Sequence, residues 1–517
     1  MSGVSRGDRR DDPEDAPGNP VGRRAYGLQS FGEFVMRMVL VALLALIVAQ
    51  PTPAQSTDNE RAIQAFSDQD FDTAERLWKQ WAEAHPQSFV PWYNLACSRS
   101  IRGDVEGAGE HMLTAIERGF SDLKQMQTDP NLRAFRTTET YRKIVASWPE
   151  FLDRRIDTDL EQARKMYGPR YNYTKDEKYR LAFVSAYDTI TSRQAREEVR
   201  KTADWAIRTV FPDLRDGDEA DLDPWVLVIL PTPKHFMQWA VQTYGAMPGS
   251  ATSQLGGAYA HDQKKLVTQD LGSTLRHEFF HVLHWRSQDR LGQRHPVWIQ
   301  EGLASLVEDM DRTNRGRWEP AASWRTNSVA RLAKMNRLIP IDRLVSMSRD
   351  RFANNRALAN YAESRAVFMY LHDRGKLADF YRRYTETFGQ DPTGLTALLE
   401  TSGEDSAADF DRAFRDWAKG LPEVYEQNSP PSLGIGVVLD ISPGDGPIVR
   451  QVLSRSAKDA GLRPGDILTG MNGRSVRDLN EFYRVLTGLR EGQRVEVTYR
   501  RRSRHKRAKV EIVSQRN

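Results

Sequence analysis

The sequence predicts a multidomain α+β protein, and three observations lead to that prediction. Its 517 residues are too many for one ordinary hydrophobic core, so several domains are expected. Helical positions repeat early in the chain, strands alternate with helices in the middle, and short glycine-containing strands follow Pro430-Pro431. We therefore expect a helical N-terminal region, a central mixed sheet with helices, and a β-rich C-terminal domain.

The first 54 residues predict a leader. Residues 1–33 are rich in Arg, Asp, Gly and Pro, a composition typical of disorder. The apolar run from Met38 to Ala49 is 12 residues long, which is short for a membrane span and typical of a signal peptide. We expect cleavage near Ala54 and export to a bacterial periplasm or cell envelope. An uncleaved anchor through residues 34–49 is the alternative.

Residues 55–145 contain a repeat of helical positions. Ala62 aligns with Ala96 and Ala74 with Ala108, each at an offset of 34 residues. Small residues at such positions let paired helices approach one another. The period resembles that of tetratricopeptide repeats, which implies a protein partner for this region. A plain pair of amphipathic helical hairpins is the alternative.

Residues 150–425 contain predicted strands followed by a mostly helical stretch, within which His277-Glu278-Phe279-Phe280-His281 forms an H-E-x-x-H pattern. At about 100° per residue, His277 and His281 lie one turn apart on the same helix face and can reach one ion. Glu278 lies beside that ion, where a general base for a metal-activated water is needed. His284 shares the face, either as another ligand or, as we favour, packed beneath the site.

A third ligand is expected from the segment His295 to Asp309, in which Glu301 lies 20 positions after His281. Pro296 lets a new helix begin there and return antiparallel to the first. H-E-x-x-H followed by W-I-Q-E-G-L-A resembles the glutamate-ligand zinc peptidases, or gluzincins, especially the aminopeptidase N-like and glycyl aminopeptidase groups. The resemblance implies Zn²⁺ held by His277, His281 and Glu301, with Glu278 as base.

The same resemblance suggests residues that contact substrate. An edge strand before the zinc helix binds the substrate backbone in gluzincins, which implies substrate contacts at Gly257 and Ala258. A tyrosine from a later helix stabilises the oxyanion in that family, and Tyr361 is placed similarly. A buried core tyrosine is the alternative for Tyr361. The Met-Glu-Asn part of the aminopeptidase motif is absent, so the resemblance does not specify aminopeptidase action. His261, in the loop before the short strand, is a further candidate to face the cleft.

Residues 430–517 resemble a PDZ domain of the bacterial-protease type. Ala460-Gly461-Leu462 followed by Gly465-Asp466-Ile467-Leu468 and Asn472-Gly473 matches its pattern. The resemblance implies that a peptide C-terminus binds at Leu433, Gly434, Ile435 and Gly436, with a helix over Leu479–Leu489 as the other wall. For the basic cluster Tyr499–Lys509, between two predicted strands, we favour an exposed hairpin tip, and a surface for anionic lipid or nucleic acid is the alternative.

The net charge of +4 gives no reason to expect a nucleic-acid partner. The one cysteine, Cys97, excludes an internal disulfide framework. Together the three regions favour an exported zinc peptidase whose peptide or protein substrates are recruited by the flanking modules. A non-catalytic peptide-binding scaffold is the main alternative, and a hydrolase acting on another amide is a third.

Overall fold

The computed structural model describes residues 53–214, 223–245, 256–313, 316–441 and 444–514. The expected α+β class is confirmed: helices come first, a five-stranded mixed sheet with helices follows, and a β-rich domain ends the chain. The signal-peptide and anchor predictions fall almost entirely outside these residues. Within the described ranges, no helix is both long and apolar enough to cross a membrane.

Helices fill the described chain up to Tyr167. Their bounds are α1 (Pro53–Ser67), α2 (Phe71–Ala84), α3 (Val90–Ile101), α4 (Val105–Glu117), α5 (Leu123–Thr128), α6 (Glu139–Ala146) and α7 (Trp148–Tyr167). The aligned alanines Ala62, Ala96, Ala74 and Ala108 are all fully buried. The small residues thus lie where the hairpins α1–α2 and α3–α4 pack, while assignment to the tetratricopeptide family stays a prediction. Cys97 is buried too, and burial holds the pKa of its thiol well above the usual value.

The central sheet has the order β1-β2-β3-β5-β4. Its strands and flanking helices are β1 (Asn172–Asp176), β2 (Leu181–Ser185), α8 (Thr189–Thr209), β3 (Val226–Leu230), α9 (Pro233–Tyr244), β4 (Gly257–Ala260) and β5 (Lys265–Thr268). β2, β3 and β5 are parallel, whereas β1 and β4 are antiparallel edge strands. Strand β3 is an uninterrupted apolar run between Pro224 and Pro231, and it is buried at every position, as is typical of a central strand.

Both faces of this sheet are covered by helices. Successive side chains of a strand point to opposite faces, and alternate residues belong to two different cores. Phe183 and Val228 pack with the helices that follow the sheet. Their neighbours Val184 and Leu227 pack with the N-terminal helices. The sheet therefore holds the helices after it in a fixed position, and these helices carry the expected site.

Helices predominate after the sheet, as expected, apart from one small hairpin. The elements are α10 (Ser273–Leu291), α11 (Val297–Leu306), β6 (Met310–Arg312), β7 (Trp318–Pro320), α12 (Trp324–Lys334), α13 (Ile341–Val345), α14 (Arg349–Asn354), α15 (Ala357–Asp373), α16 (Leu377–Thr387), α17 (Leu395–Ser402) and α18 (Ala407–Lys419). Helices α10, α11 and α15 share one large hydrophobic core.

The C-terminal domain has its own core of aliphatic and aromatic side chains. Its elements are β8 (Leu433–Gly434), β9 (Val437–Asp440), β10 (Ile448–Val452), α19 (Arg455–Asp459), β11 (Ile467–Met471), β12 (Arg474–Ser475), α20 (Leu479–Leu486), β13 (Arg494–Arg501), β14 (Arg504–Glu511) and β15 (Val513–Ser514). The main sheet order is β14-β13-β11-β10-β9, which leaves β9 at its end.

The expectation of a basic hairpin tip was wrong for most of its residues. The cluster Tyr499–Lys509 lies mainly in the paired strands β13 and β14, and the turn between them is short. Arg501 pairs with the buried Asp466, and His505 contacts Asp188 of the central region at 3.0 Å. Part of the positive charge is therefore used in structural ion pairs.

Candidate metal centre

Helix α10 carries the H-E-x-x-H pattern and starts beside the end of β5. Asp270 caps it from outside: its carboxylate accepts hydrogen bonds from the N–H groups of Gly272 and Thr274, both at 2.8 Å. The capping side chain thus lies two residues before Gly272, which itself has no side chain to accept these hydrogen bonds. The fixed start sets the rotation of α10, and His277 and His281 face the same side of it.

Helix α11 returns toward α10 and brings Glu301 to the two histidines. Gly292, in the left-handed conformation (φ 66°), ends α10, and α11 begins directly after Pro296. Gly302 allows α11 to lie close to α15, because a Cβ there would stand 2.6 Å from the ring of Phe368. The position of Glu301 thus depends on a packing contact made by its neighbour.

Three side-chain atoms of these helices form a nearly equilateral triangle. His277 Nε2 lies 3.1 Å from His281 Nε2, and Glu301 Oε2 lies 3.3 Å and 3.6 Å from them, respectively. Ligands about 2.0–2.2 Å from a tetrahedral zinc ion are separated by about 3.3 Å. The residues present therefore fit a tetrahedral divalent ion with a fourth position open. Among the described residues, they are the group of His, Cys, Asp and Glu placed to hold a metal.

A buried ion pair supports His277 from behind. Its Nδ1 donates to Glu308 Oε1 at 2.9 Å, which leaves Nε2 to face the triangle. Arg325 holds both oxygens of Glu308, at 2.7 and 2.9 Å. Burial opposes protonation of His277, but its contacts with Glu301 and Glu308 outweigh burial and raise its pKa to about 10. Cation binding at neutral pH therefore has to release a proton.

Glu278 points to the same space from the next position on α10. Its Oε2 accepts a hydrogen bond from the Tyr259 N–H of edge strand β4 at 2.9 Å. Burial raises the pKa of Glu278 above its usual range, although His277 and His281 oppose the rise. A buried carboxylate with a raised pKa is suited to accepting and returning a proton.

The triangle opens onto a cavity of about 220 Å³, to which His277 and Glu278 contribute. Gly257 and Tyr361 line it as well, whereas Ala258 is buried and does not. The ring of Tyr361 is centred 6.5 Å from that of His277. Burial raises the pKa of Tyr361 well above its usual value, so its hydroxyl stays protonated near neutral pH. Tyr361 can therefore act as a hydrogen-bond donor in this cavity.

The other histidines considered lie outside the triangle. His284 is fully buried beneath it and bonds to His295 at 2.8 Å, and burial lowers the pKa of both rings. Their placement agrees with packing. His261 stacks on Trp285, with ring centroids 4.0 Å apart, and contacts Asp289, so it does not face the cavity.

The C-terminal domain packs against the start of α10 through a buried charged network. Arg276, the residue before His277, pairs with Glu198 of α8 at 2.8 Å and with Glu481 of α20 at 2.6 Å. It also donates to the carbonyl of Glu308, whose side chain holds His277. Arg484 of α20 pairs with Asp309 at 2.9 Å. The network links α20 to the segment after α11 and to helix α10, which carries His277 and His281.

The expected carboxylate-binding segment, residues 433–436, comprises β8 and the two residues that lead into β9. Leu433 and Gly434 form β8 and pair with β15, while Ile435 is fully buried in the domain core. Gly436 has φ 70°, and a Cβ there would collide with the Ser454 side chain at 2.1 Å. The loop leads directly into β9, which ends the described sheet.

Comparisons with known proteins support one domain and leave the rest open. A PDZ family model matches residues 431–512, so the chain contains a PDZ domain. A family described as a protein of unknown function, DUF1570, matches residues 272–392, the segment with the triangle, Glu278 and Tyr361. No curated protein matches the chain.

Among solved structures, the chain is similar to an aminopeptidase N family protein from Idiomarina loihiensis. It is 14% identical, with 65% of each chain covered and a TM-score of 0.26. The chain thus spans about two thirds of that protein's length, and a score this low supports no argument about fold or activity.

Sequence reasoning missed Glu308, Arg325, Arg276 and Glu481. Glu308 lies seven positions after Glu301 but two residues beyond the end of α11, so helical periodicity does not indicate its contact with His277. The contact of Arg276 with Glu481 spans 205 positions, and no local pattern indicates it.

Proposed function

We propose that this protein is a zinc-dependent peptidase in which His277, His281 and Glu301 hold the metal. The observation that carries the proposal is the triangle of Nε2, Nε2 and Oε2 atoms, whose edges of 3.1, 3.3 and 3.6 Å match a tetrahedral ligand set. Two histidines and a carboxylate also accept other divalent ions, so metal analysis has to identify the ion.

The remaining groups have roles that follow from their placement. When bound, the ion would polarise a water molecule and the scissile carbonyl. Glu278 takes a proton from the attacking water and returns it to the leaving amine. Tyr361 donates its O–H to the developing oxyanion, and Gly257 of β4 offers backbone groups to an extended substrate. Glu308 keeps the ring of His277 oriented and fixes its tautomer.

The flanking regions would recruit substrate. PDZ domains bind peptide or protein ligands, so peptide binding by residues 431–512 is the expected role of that domain. We propose that it takes C-terminal ends and that the helical repeats hold a partner protein. We also propose export, which N-terminal sequencing of the protein from its native host would test by locating the mature start near residue 55.

The decisive experiment compares the unaltered chain with Glu278→Gln and Glu301→Ala. Metal content is measured by plasma emission spectrometry, and cleavage by mass spectrometry over a broad peptide library. We expect about one zinc per chain in the first two proteins, none in Glu301→Ala, and cleavage by the unaltered chain alone. Glu319→Gln is a matched control, because Glu319 also bonds a histidine, His372, at 3.0 Å but lies away from the triangle.

Zinc in the unaltered chain without cleavage of any peptide would favour the scaffold alternative. Cleavage of non-peptide amides alone would place the activity in the third class. Loss of zinc in Glu319→Gln would show that the measurement reports general destabilisation, and full zinc occupancy in Glu301→Ala would contradict the ligand set.

A further inference from the structure

The cavity at the triangle is lined by residues of the central region and of the PDZ domain. Asp478 and Asn480, at the start of α20 in the PDZ domain, line it together with His277 and Glu278. The PDZ domain therefore forms part of the wall of this cleft. A domain attached only to capture substrate would not have to contribute to that wall.

The contact that places α20 here is tightly packed. A Cβ on Gly272, next to the first residue of α10, would stand 2.6 Å from the side chain of Arg477. Arg477 itself is buried, and its backbone N–H donates to Glu481 at 2.7 Å. The start of α20 and the start of α10 are thus held together by close packing of Arg477 on the backbone of Gly272 as well as by ion pairs.

The direction of a bound peptide follows from the order of the loop and the strand. The loop 433–436 precedes β9, so a carboxylate held there sits at the beginning of β9. A peptide pairing with this end strand must then run antiparallel to it, with its upstream residues leaving beyond Asp440. Gly444, four positions after Asp440, accepts a hydrogen bond from the N–H of Leu271 at 3.2 Å.

The exit of the groove therefore adjoins the metal helix, because Leu271 lies two positions before α10 begins. Arg477, directly before the cleft-lining Asp478, donates to the carbonyl of Asp445 at 3.2 Å. Asp445, which follows the exit of the groove, is thus in direct contact with Arg477 at the start of α20. Gly444 and Asp445 thus contact residues that lie one or two positions before the cleft-lining Ser273 and Asp478.

We propose that the PDZ groove and the metal cleft form one continuous track for the C-terminal tail of a protein substrate. The tail's carboxylate is held at 433–436 and an upstream bond reaches Glu278 and the triangle. This inference rests on the proposed peptidase function. Four residues along β9 span about 13 Å, the two positions from Leu271 to Ser273 add up to about 7 Å, and the four helical positions from Ser273 to His277 add about 6 Å. The cleaved bond then lies about six to ten residues from the carboxylate.

The first test uses binding and cross-linking, which need no catalysis. Peptides of about fourteen residues carry a benzoylphenylalanine at successive positions from the C-terminus, each made as free acid and as amide. In the Glu278→Gln chain we expect free acids to bind at least tenfold more tightly than amides. Cross-links from about the sixth to tenth positions should map to tryptic peptides that contain Gly257 or His277.

The second test uses cleavage by the unaltered chain. Lengthening the peptide at its N-terminus should leave the cut at the same distance from the C-terminus, and amidation should raise KM at least tenfold. Leu439→Lys, in the partly buried apolar wall of β9, should raise KM for free acids in the same way. Met166→Lys is the control, since Met166 is 67% exposed on α7 and belongs to neither site.

The outcomes separate the two proposals. Cross-links as expected without any cleavage would leave the track standing and overturn the peptidase proposal. Equal cleavage of acids and amides, at bonds unrelated to the C-terminus, would overturn the track and leave the peptidase standing. Absence of binding by either form, or cross-links outside the cleft, would also overturn the track.

Discussion

The ion pair between Arg276 and Glu481 predicts that the isosteric change Glu481→Gln loosens the PDZ domain from helix α10. Glu481→Gln replaces one carboxylate oxygen by an NH₂ group. Glu481 accepts from two donors, the guanidinium of Arg276 at 2.6 Å and the N–H of Arg477 at 2.7 Å. A glutamine satisfies one of them and turns a donor toward the other.

The free-energy cost of breaking this ion pair follows from the burial of its two side chains. The two side chains are only 1% and 3% exposed, and breaking such a buried pair costs about 3–5 kcal/mol. Arg276 keeps Glu198 and the carbonyls of Val307 and Glu308, so the cost falls somewhat below that range. We expect a loss of about 2–3 kcal/mol, which lowers protection of α20 amides about 30- to 150-fold.

Hydrogen–deuterium exchange followed by mass spectrometry measures this change on peptides covering 479–486. Glu400→Gln is the control, because Glu400 also pairs with an arginine, Arg383, at 2.5 Å but both side chains are nearly half exposed. Exposed pairs contribute little, so α20 should exchange there as in the unaltered chain. A change below about threefold in Glu481→Gln would refute the argument that this pair fixes the domain.

Three further changes give distinct readouts. Tyr361→Phe should lower kcat about 10²- to 10³-fold with zinc content unchanged, because it removes an oxyanion donor; unchanged kcat would return Tyr361 to a packing role. Glu363→Gln should flatten the pH dependence of the melting temperature. Burial raises the pKa of Glu363 to about 8 in the folded chain, so the stability it contributes below its usual value of 4.5 is lost as pH rises to about 8; a variant that keeps the slope would contradict this sign. Gly302→Ala should destabilise the chain by about 1–3 kcal/mol in urea unfolding and weaken zinc binding, since the new Cβ meets Phe368 at 2.6 Å. Gly389→Ala, where nothing lies within 4 Å, is its control, and equal effects would show that crowding is not the cause.

The grouping of the candidate ligands was predictable because local rules govern it. The four-residue spacing of His277 and His281 fixes their shared face once a helix is assumed. The turn at Pro296 makes an antiparallel return the simplest path for Glu301. The buried central strand and the end of the last helix before Pro430 also follow from local periodicity and proline placement.

Other features depend on surfaces that meet only in three dimensions. Glu198, Arg276 and Glu481 come from three elements, and their contacts span 78 and 205 positions. No periodicity in the sequence distinguishes these charged residues from exposed ones. The contacts of the basic cluster on β13 and β14 were equally unpredictable from sequence, because its partners Asp188 and Asp445 belong to distant segments.

The contribution of Asp478 and Asn480 to the cleft has a consequence for the order of synthesis. A chain growing from its N-terminus completes the candidate ligand set at Glu301 but lacks one wall until nearly 180 further residues have been made. We expect a nascent or prematurely terminated chain to be able to take up metal without forming a finished cleft. Formation of the complete cleft would then require the finished polypeptide.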